Sequence, residues 1–402
     1  MNKKKTIIVI GAGAAGFFAA LSAKKNDPEA QVIILEKNAA LLSKVRVSGG
    51  GRCNVTHACF DPLMLSKNYP RGSKELLGPF NQFQPKDTIE WFKSRGIELK
   101  IEEDGRMFPI TDNSQTIIDC FIDETKKLGV EVRVQCKIEK IDKSSEGFII
   151  FIRDEPQLNA DKLILATGSS SIGHQFAKNL GHKISEAVPS LFTFNIPNSP
   201  LKNLSGISLQ DVKVQIKGTS YTQSGPLLIT HFGFSGPAIL KLSAWAAREL
   251  HQKNYKFEIL VNWLPKMNLN KLNETLIELK KEKPNKSLIS ENPFKLPKNF
   301  WKHLLEDLFK EKNKLNDFSL KDLKKISEKI SLDTYCIKGK TTHKEEFVTC
   351  GGILLKEVNF KTMESKICPH LFFAGEILDI DGITGGFNFQ NAWTTGFIAG
   401  KS

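Results

Sequence analysis

Cysteine is scarce in this sequence, and no two cysteines form a C-x-x-C pair. The seven cysteines are odd in number and scattered along the chain. This distribution indicates isolated thiols in a reducing compartment. Cys53, His57 and Cys59 lie close together in the sequence, but no second group of ligands accompanies them, so the pattern does not support a metal site.

A long apolar run is also missing. The N-terminal stretch MNKKKTIIVIGAGAAGFFAAL has the lysine cluster, apolar run and small residues of a signal peptide. However, its apolar run is too short to span a membrane, and the glycines at 11, 13 and 16 interrupt it. We therefore expect a cytoplasmic protein without a membrane partner.

Arginine is absent from residues 263–330, although the chain is basic. The 402 residues carry a formal net charge of +13, and this segment holds sixteen lysines and ten acidic residues. Such an excess favours solubility or an acidic partner and does not bear on the fold. The segment has helical periodicity, and we expect its lysines to form a solvated face. A chain of this length predicts two or three domains.

The first forty residues have the pattern of a β-α-β unit. A buried strand at 6–10 is followed by the turn Gly11-Ala-Gly-Ala-Ala-Gly16, a helix to about Lys25, and a second buried strand at 31–37 that contains Glu36. This order of strand, G-x-G-x-x-G, helix, strand and acid is typical of dinucleotide binding. A glycine-tolerant surface turn would not account for the acid. No second complete G-x-G-x-x-G is evident, so we expect one tightly held dinucleotide.

Later segments indicate that the nucleotide fold is split by an insertion. Residues 130–141 and 147–152 alternate like strands of a small antiparallel sheet, and 160–171 contain another buried strand. From about residue 191 the chain becomes β-rich, and 371–400 return to a strand, a glycine turn and a small-residue helix. We predict an α/β nucleotide-binding domain at 1–190 and 349–402, a β-rich insertion at 191–262 and 331–348, and a helical subdomain at 263–330.

Seven segments carry a resemblance to a known family: VIGAGAAG, SGGGRCNVT, DGRMFPITDNS, LILATG, THFGFSGPAIL, VTCGGILLKEVNFKTMESK and LFFAGEILDIDGITGGFNFQNAW. They resemble the BaiN/YhiN-like family of FAD-dependent NAD(P)H oxidoreductases, in the family's order. The resemblance implies a Rossmann-like FAD-binding domain of the glutathione-reductase type, FAD as cofactor, and NAD(P)H as a transient reductant.

The resemblance also implies where FAD is bound. It assigns the first glycine turn to the pyrophosphate, Glu36 to the adenosine ribose, the backbone of Ile138 to adenine, and the turn at 386–388 to the pyrimidine edge of the flavin. The full set of implied cofactor-binding residues is Gly11, Gly13, Ala14, Ala15, Gly16, Glu36, Lys37, Lys44, Ser48, Gly49, Gly50, Gly51, Arg52, Cys53, Asn54, Ile138, Ala166, Thr167, Gly168, Gly375, Glu376, Asp379, Gly386, Phe387, Asn388 and Gln390.

The stretch RVSGGGRCN contains the most unusual residues of this set. We expect Gly49–Gly51 to let the backbone approach FAD, with donors from Ser48, Arg52 and Asn54. Cys53 has two interpretations, a packed small side chain or a thiol that acts beside the flavin. Arg46 stands where the family has an apolar residue, and it either contacts phosphate or lies outside the site.

His231, in THFGFSG, is the other candidate catalytic residue. It is either a turn histidine bonded to backbone, or an acid or substrate clamp that faces the flavin. We expect the nearby aromatics Phe232, Phe234 and Trp245 to be core residues. The segment after ATGSSS is shorter than in the family, so contacts that a longer loop would make are not expected.

These features predict an enzyme that passes a hydride from NAD(P)H through FAD to an organic acceptor with an activated C=C bond. Family members are associated with this reaction and with dihydrouridine formation in ribosomal RNA, and the positive charge keeps RNA as an alternative substrate. A non-redox flavoprotein, in which FAD supports an RNA- or protein-binding module, is a third hypothesis.

Overall fold

The computed structural model describes residues 4–309, 311–341 and 348–402. The chain divides into two compact units, Met1–Ser190 with His343–Ser402, and Leu191–Thr342. Residues 342–347, just before the predicted return to the nucleotide fold at residue 349, lie outside the described residues. No helix in the described ranges combines the length and apolar character needed to cross a membrane.

The strands are named in chain order. They are β1 (Thr6–Ile10), β2 (Gln31–Leu35), β3 (Thr56–His57), β4 (Leu99–Ile101), β5 (Arg106–Pro109), β6 (Glu131–Arg133), β7 (Ile138–Ser144), β8 (Gly147–Ile152), β9 (Leu158–Ala160), β10 (Lys162–Leu165), β11 (Ile184–Pro189), β12 (Thr193–Asn195), β13 (Ser208–Ile216), β14 (Thr222–Thr230), β15 (Gly233–Ser235), β16 (Lys256–Asn262), β17 (Asp333–Lys338), β18 (Lys340–Thr341), β19 (Thr349–Ile353), β20 (Val358–Asn359), β21 (Glu364–Ser365) and β22 (Leu371–Phe373).

The helices are named in the same way. They are α1 (Ala14–Asn26), α2 (Ser43–Gly51), α3 (Pro62–Ser66), α4 (Ser73–Gln82), α5 (Pro85–Lys93), α6 (Ser114–Leu128), α7 (Ser171–Asn179), α8 (Pro237–Trp245), α9 (Ala247–Gln252), α10 (Leu269–Glu282), α11 (Leu288–Glu291), α12 (Lys298–Leu308), α13 (Leu320–Ser331) and α14 (Phe387–Lys401).

The first unit is built on a seven-stranded sheet in the order β20-β21-β22-β10-β1-β2-β6. Its five strands from β22 to β6 run parallel, and β20 and β21 add an antiparallel edge. β1 and β2 are buried apolar runs, as expected for central parallel strands. The predicted β-α-β unit and the predicted return of the C-terminal segment to the same fold are therefore confirmed.

The first and last helices pack closely because small residues line their contact. A Cβ atom on Gly396 of α14 would lie 2.7 Å from Ala15 O of α1, and one on Gly400 would overlap Ala19 O. The helices can approach to this distance only where side chains are absent or very short. This packing joins the two sequence-distant parts of the first unit.

One prediction about strand pairing is partly wrong. β7, β8 and β9 form the small antiparallel sheet expected for this region. However, β6, at the beginning of the same stretch, pairs in parallel with β2 at the edge of the main sheet. The reason is the preceding α6, which ends at the left-handed Gly129 and returns the chain alongside β2 as a crossover connection.

The second unit contains an antiparallel sheet in the order β17-β16-β13-β14-β15-β12-β18, with helices α8–α13. The strands and the lysine-rich helices share one hydrophobic core, to which the sheet contributes Val212 and Tyr335 and the helices contribute Phe300, Trp301 and Ile326. The expected helical subdomain therefore has no separate core. Its amphipathic helices cover the sheet.

A buried histidine in the first unit makes stability dependent on pH. His182 Nδ1 lies 3.2 Å from Glu357 Oε2, and its Nε2 lies 2.8 Å from Ser365 Oγ. Burial lowers the pKa of His182 from its ordinary value of 6.5. Below that value the unfolded chain takes up a proton that the folded chain resists. The free energy of unfolding should therefore fall as pH drops below about 6.5, by at most about 1.4 kcal/mol per pH unit for this group.

Urea unfolding followed by circular dichroism between pH 7.5 and 5 checks this. His182→Gln should flatten the pH dependence, whereas His370→Gln, which changes an exposed histidine of the same unit, should leave it unchanged. Equal slopes for all three proteins would contradict the assignment.

Candidate functional site

The three glycines of the first turn have different environments. A Cβ on Gly11 would lie 2.5 Å from Ala166 O, and one on Gly16 would overlap Gly11 O, so packing within the protein accounts for both. Gly13 differs, because its φ of −93° suits any residue and, beyond its immediate neighbours, no atom of the described residues lies within 4 Å of the position of a Cβ. Neither backbone strain nor packing within the chain requires glycine here.

Gly13 is the N-cap of α1, and this helix has no side-chain cap and no acidic residue in its first turn. The N–H groups of the first turn of a helix lack intrahelical partners and carry partial positive charge. An anion placed there is stabilised, and the space over Gly13 gives it access. The turn therefore fits a pyrophosphate.

Glu36 closes the turn from the neighbouring strand. Its Oε2 accepts a hydrogen bond from the Ala12 N–H at 2.9 Å, and its Oε1 accepts one from the Asn38 N–H at 2.9 Å. The Glu36 carbonyl accepts from Cys136 N–H, two residues before the predicted adenine contact at Ile138. The carboxylate is thus fixed beside the glycine turn, and each oxygen retains a lone pair for a ribose hydroxyl.

The backbone conformation explains the glycine triplet, and the sequence analysis did not predict this. Gly49, Gly50 and Gly51 have φ values of +57°, +69° and +83°, which is left-handed backbone. A Cβ on Gly49 would lie 2.8 Å from a ring carbon of Phe108, whereas the positions over Gly50 and Gly51 are open. Backbone conformation therefore accounts for all three glycines, and the close approach predicted at Gly49 is made by the protein's own Phe108.

The polar side chains around the triplet are largely engaged within the protein. Arg52 Nη1 donates to Glu102 Oε1 at 2.6 Å, and its guanidinium lies 3.9 Å from the centre of the Phe108 ring. Ser48 Oγ donates to a backbone carbonyl at 3.0 Å. The exposed Arg46 donates to Gln115 at 2.7 Å, so it belongs to the surface.

Cys53 is completely buried. Burial raises the pKa of its thiol from 9.0 to about 12, so the neutral form dominates near neutral pH. A neutral, inaccessible thiol is a poor nucleophile. The geometry therefore favours the packing interpretation of Cys53. Among the described residues no cluster of His, Cys, Asp and Glu could hold a metal ion.

Asn54 connects the triplet loop to the C-terminal turn. With its amide oriented so that both groups are satisfied, the Asn54 oxygen accepts from Gly386 N–H at 3.0 Å and its nitrogen donates to Thr56 O at 3.1 Å. The turn is held further by Asn388, whose side chain bonds both the N–H and the carbonyl of Gly382 at 2.8 and 2.9 Å. The structure thus brings together two segments that the resemblance assigns to FAD.

This turn begins α14, which has no side-chain cap. The Gly386 N–H is already used by Asn54, so the N–H groups of Phe387 and the next residues remain for a ligand. Gln390, one turn later, is completely buried and accepts from Thr56 at 2.6 Å and Thr88 at 2.9 Å. Its side chain therefore offers no exposed atom to a cofactor.

Glu376 is the centre of a second polar group. Lys44 Nζ lies 2.5 Å from Glu376 Oε2, and the Thr349 N–H donates to Oε1 at 3.0 Å. A Cβ on Gly168 would lie 3.7 Å from Oε2. Three predicted residues from distant parts of the sequence are therefore neighbours, whereas the predicted Lys37 is an exposed residue after β2.

A buried ion pair in the same unit was not predicted. Arg71 Nε donates to Asp381 Oδ1 at 2.5 Å, Arg71 Nη2 donates to Oδ2, and Ser190 Oγ also donates to Oδ2. Asp381 is completely buried, and burial raises its pKa although Arg71 opposes the shift. The sequence does contain a signal for this ion pair, namely the second acidic residue of ILDIDG, because a carboxylate inside an apolar stretch requires a cationic partner. Asp379, predicted as a cofactor residue, is buried two residues earlier.

His231 belongs to the second unit, whereas the predicted cofactor residues all belong to the first. It is exposed at the turn between β14 and β15. The neighbouring Phe232 is 68% exposed, so the prediction that it is a core residue is wrong, because it lies at the tip of this turn. Phe234 is buried as expected, and Trp245 is half-buried.

Comparison with known proteins gives full-length similarities. The chain is 30% identical to a ribosomal RNA dihydrouridine synthase of Escherichia coli, over 98% of this chain and 96% of that protein. It is 28% identical to a 3-dehydro-bile acid delta(4,6)-reductase of Clostridium scindens, over 98% of both chains.

Among solved structures, the chain is similar to a flavocytochrome c3 fumarate reductase. The match covers 100% of this chain and 78% of that chain, with a TM-score of 0.51 and 16% identity. It is also similar to a 3-ketosteroid-delta4-(5alpha)-dehydrogenase of Rhodococcus jostii. That match covers 100% of this chain and 98% of that chain, with a TM-score of 0.51 and 13% identity.

The two solved structures share the fold with this chain. A family model, described as the HI0933-like protein Rossmann domain, matches residues 5–402. This match confirms both the Rossmann-like fold and the family resemblance expected from the seven sequence segments. The chain therefore belongs to the HI0933-like family of Rossmann-domain proteins.

Proposed function

We propose that the protein is an FAD-dependent oxidoreductase that takes a hydride from NAD(P)H and reduces an activated C=C bond of an organic acceptor. The observation that carries FAD binding is the open space over Gly13, at the uncapped start of α1 and beside Glu36. A pyrophosphate with an adjacent adenosine ribose satisfies all three features.

The names of the relatives support reduction of a C=C bond. A delta(4,6)-reductase and a dihydrouridine synthase act on different substrates, but both names denote addition of hydrogen across a carbon–carbon double bond. When bound, FAD would supply the hydride acceptor and donor for such chemistry.

The residues of this chain have defined tasks in that proposal. The first turn of α1 binds the pyrophosphate, and Glu36 orients the adenosine ribose. The N–H groups at the start of α14, which has no side-chain cap, would donate to the pyrimidine edge of a bound flavin and would stabilise the negative charge that this edge gains on reduction. Asn54 holds this helix start against the triplet loop.

Only one complete dinucleotide motif is present in the sequence, so NAD(P)H would bind transiently. The direct test is anaerobic titration of the purified protein with NADH and with NADPH, followed by a screen of acceptors. Bleaching of the flavin band, reversed by an acceptor with an activated C=C bond, is the expected result. A flavin that neither nucleotide reduces would instead favour the non-redox hypothesis.

The Gly13 environment gives a specific prediction about cofactor binding. Gly13→Ala should leave the fold intact, because φ is ordinary and the Cβ meets no protein atom. It should weaken FAD binding by about 10- to 100-fold, the cost of one or two charged hydrogen bonds. The measurement is FAD affinity by fluorescence, after identification of the released flavin as FAD and not FMN.

Gly78→Ala is the matched control, because Gly78 lies within α4 and a Cβ there also has nothing within 4 Å. It should retain FAD fully. Unchanged affinity in Gly13→Ala, or recovery of FMN alone from the wild type, would contradict the assignment. Gly50 is less suitable for this test because its positive φ would strain any side chain.

The buried state of Cys53 predicts that its thiol is dispensable for chemistry. Cys53→Ala and Cys53→Ser should keep bound FAD and most NAD(P)H turnover, with some loss of stability from the changed packing. Steady-state turnover and flavin content check this. Loss of turnover in both variants while FAD remains bound would assign the thiol a role in the reaction.

Ribosomal RNA is a second candidate substrate, supported by the dihydrouridine synthases at 30% and 28% identity and by the net charge of +13. The lysines at 280 and 283 are unsuitable for testing it, because Lys280 Nζ donates to Phe318 O and Lys283 pairs with Glu291 at 2.6 Å. Lys281, Lys321 and Lys325 are exposed and have no ion-pair partner within the described ranges.

If RNA binds through these helices, replacing Lys281, Lys321 and Lys325 by Glu should weaken binding. It should also lower the slope of log affinity against log salt by about 2 to 3, since each phosphate contact contributes 0.7 to 0.9. Filter binding at two salt concentrations measures both effects. A triple Glu variant of Lys25, Lys74 and Lys137, all exposed in the first unit, controls for net charge. Absence of binding to wild type at low salt would exclude RNA.

A further inference from the structure

The antiparallel sheet of the second unit closes on itself only in part. β17 pairs with β16, whereas β18, which follows it after Gly339, pairs with β12. The last bond on this side of β12 runs from the Asn195 N–H to Gly339 O at 3.1 Å. N–H groups of alternate residues point to the same side of a strand, so the next donor would be residue 197. This residue is Pro197, which has no N–H, and the pairing stops there.

A cavity of about 250 Å³ lies beyond this point, between β17 and the segment that follows β12. Its walls include Pro197 and Pro200 on one side and Thr334, Tyr335 and Cys336 of β17 on the other. Successive residues of a strand point to opposite faces, so a cavity lined by three in a row lies against the edge of the strand. In the described part of the chain β17 pairs only with β16, which leaves the N–H and C=O groups of this edge without a strand partner.

The charges beside this gap are not balanced. Lys329 Nζ lies 3.0 Å from Asp307 Oδ2 and 2.9 Å from Asp333 Oδ1, so one ammonium serves two carboxylates. Asp333 is buried, and its other oxygen accepts from the Tyr335 hydroxyl at 2.6 Å and from Trp263 Nε1 at 3.0 Å. The Asp307 side chain is 45% exposed and lines the cavity. The excess negative charge is therefore accessible at Asp307, where it attracts a cation.

The position of this charge gives the gap a direction. Asp307 lies at the Asp333 end of β17, because Lys329 contacts both carboxylates. Lys338 lines the cavity at the other end of the strand, about 13 Å from Thr334 at 3.3 Å per residue. A cationic group is therefore favoured at the first end only.

An extended peptide satisfies all these features together. Its main chain can bond to the free edge of β17, as in recognition by strand addition. Apolar side chains can pack on Pro197, Pro200 and Leu304, which form apolar walls of the cavity. A lysine or arginine side chain can reach Asp307. A small cation would use only the last of these features.

We propose that the gap between β17 and residues 196–200 binds an extended segment of a partner protein by strand addition, with a basic side chain of that segment at Asp307. This site lies within the second unit. It depends neither on FAD nor on the proposed reaction.

Cys336 gives a local readout of binding, because it lines the cavity and is an exposed cysteine. The experiment adds the capped tetrapeptide acetyl-Val-Lys-Val-Val-amide to the full-length protein and follows alkylation of Cys336 by N-ethylmaleimide, using mass spectrometry of peptide fragments. The tetrapeptide should slow the alkylation saturably. The same tetrapeptide with methylated backbone amides should bind about tenfold more weakly or worse, since it loses two or more hydrogen bonds. Glutamate in place of its lysine should also weaken binding.

Asp307→Asn tests the charge and should weaken binding of the lysine tetrapeptide about two- to fivefold, the value of a partly exposed ion pair. Glu306→Gln is the matched control, because Glu306 is the preceding acid of α12, is similarly exposed and pairs with Lys302 at 3.5 Å. It should keep wild-type binding, and both variants should keep the wild-type circular dichroism spectrum.

Three results would overturn the proposal. The first is no protection of Cys336 by the lysine tetrapeptide at millimolar concentration. The second is equal protection by the methylated tetrapeptide or by butylamine, which would show that the edge of β17 is not used. The third is an equal effect of the two variants, which would show that net charge alone acts and not Asp307.

Discussion

The close packing of the first and last helices is the constraint on which the first unit depends. α1 and α14 meet where Gly396 and Gly400 face Ala15 and Ala19, and side chains on either glycine would collide with backbone. This contact fixes the start of α14, and with it the C-terminal turn, relative to the glycine turn at the start of α1. The two helix N-termini that the proposed cofactor needs are therefore positioned by one interface of small residues.

A separate strand pairing holds the points at which the chain leaves the fold and returns. β11 pairs antiparallel with β19, and Ser190 N–H donates to Val348 O at 2.9 Å, so the outgoing and incoming segments are adjacent. Ser190 also donates to the buried Asp381, which Arg71 neutralises. The exit from the first unit is thus anchored to the turn that follows Glu376. Because the inserted unit has its own hydrophobic core, its sequence can vary without disturbing the nucleotide fold.

Much of this arrangement could be predicted because it rests on local patterns. Buried parallel strands, the glycine turn and the amphipathic helices of the second unit each leave a periodic signal in the sequence. Pairings across long sequence separations leave a weaker signal. The position of β6 depended on a crossover through α6, and the exposure of Phe232 depended on a turn between two short strands. The bonds that occupy Arg52 and Lys280 join residues more than thirty positions apart, so no local pattern indicates them.

Glycine-rich motifs combine three physical causes that the sequence cannot separate. At Gly49, Gly50 and Gly51 the cause is left-handed backbone, and at Gly11 and Gly16 contact with the protein's own backbone requires a missing side chain. Such glycines would be needed whether or not a ligand bound. Gly13 has ordinary backbone angles and open space, so its lack of a side chain serves nothing within the described protein. A single glycine that the fold does not require is therefore stronger evidence for a bound dinucleotide than the conspicuous triplet.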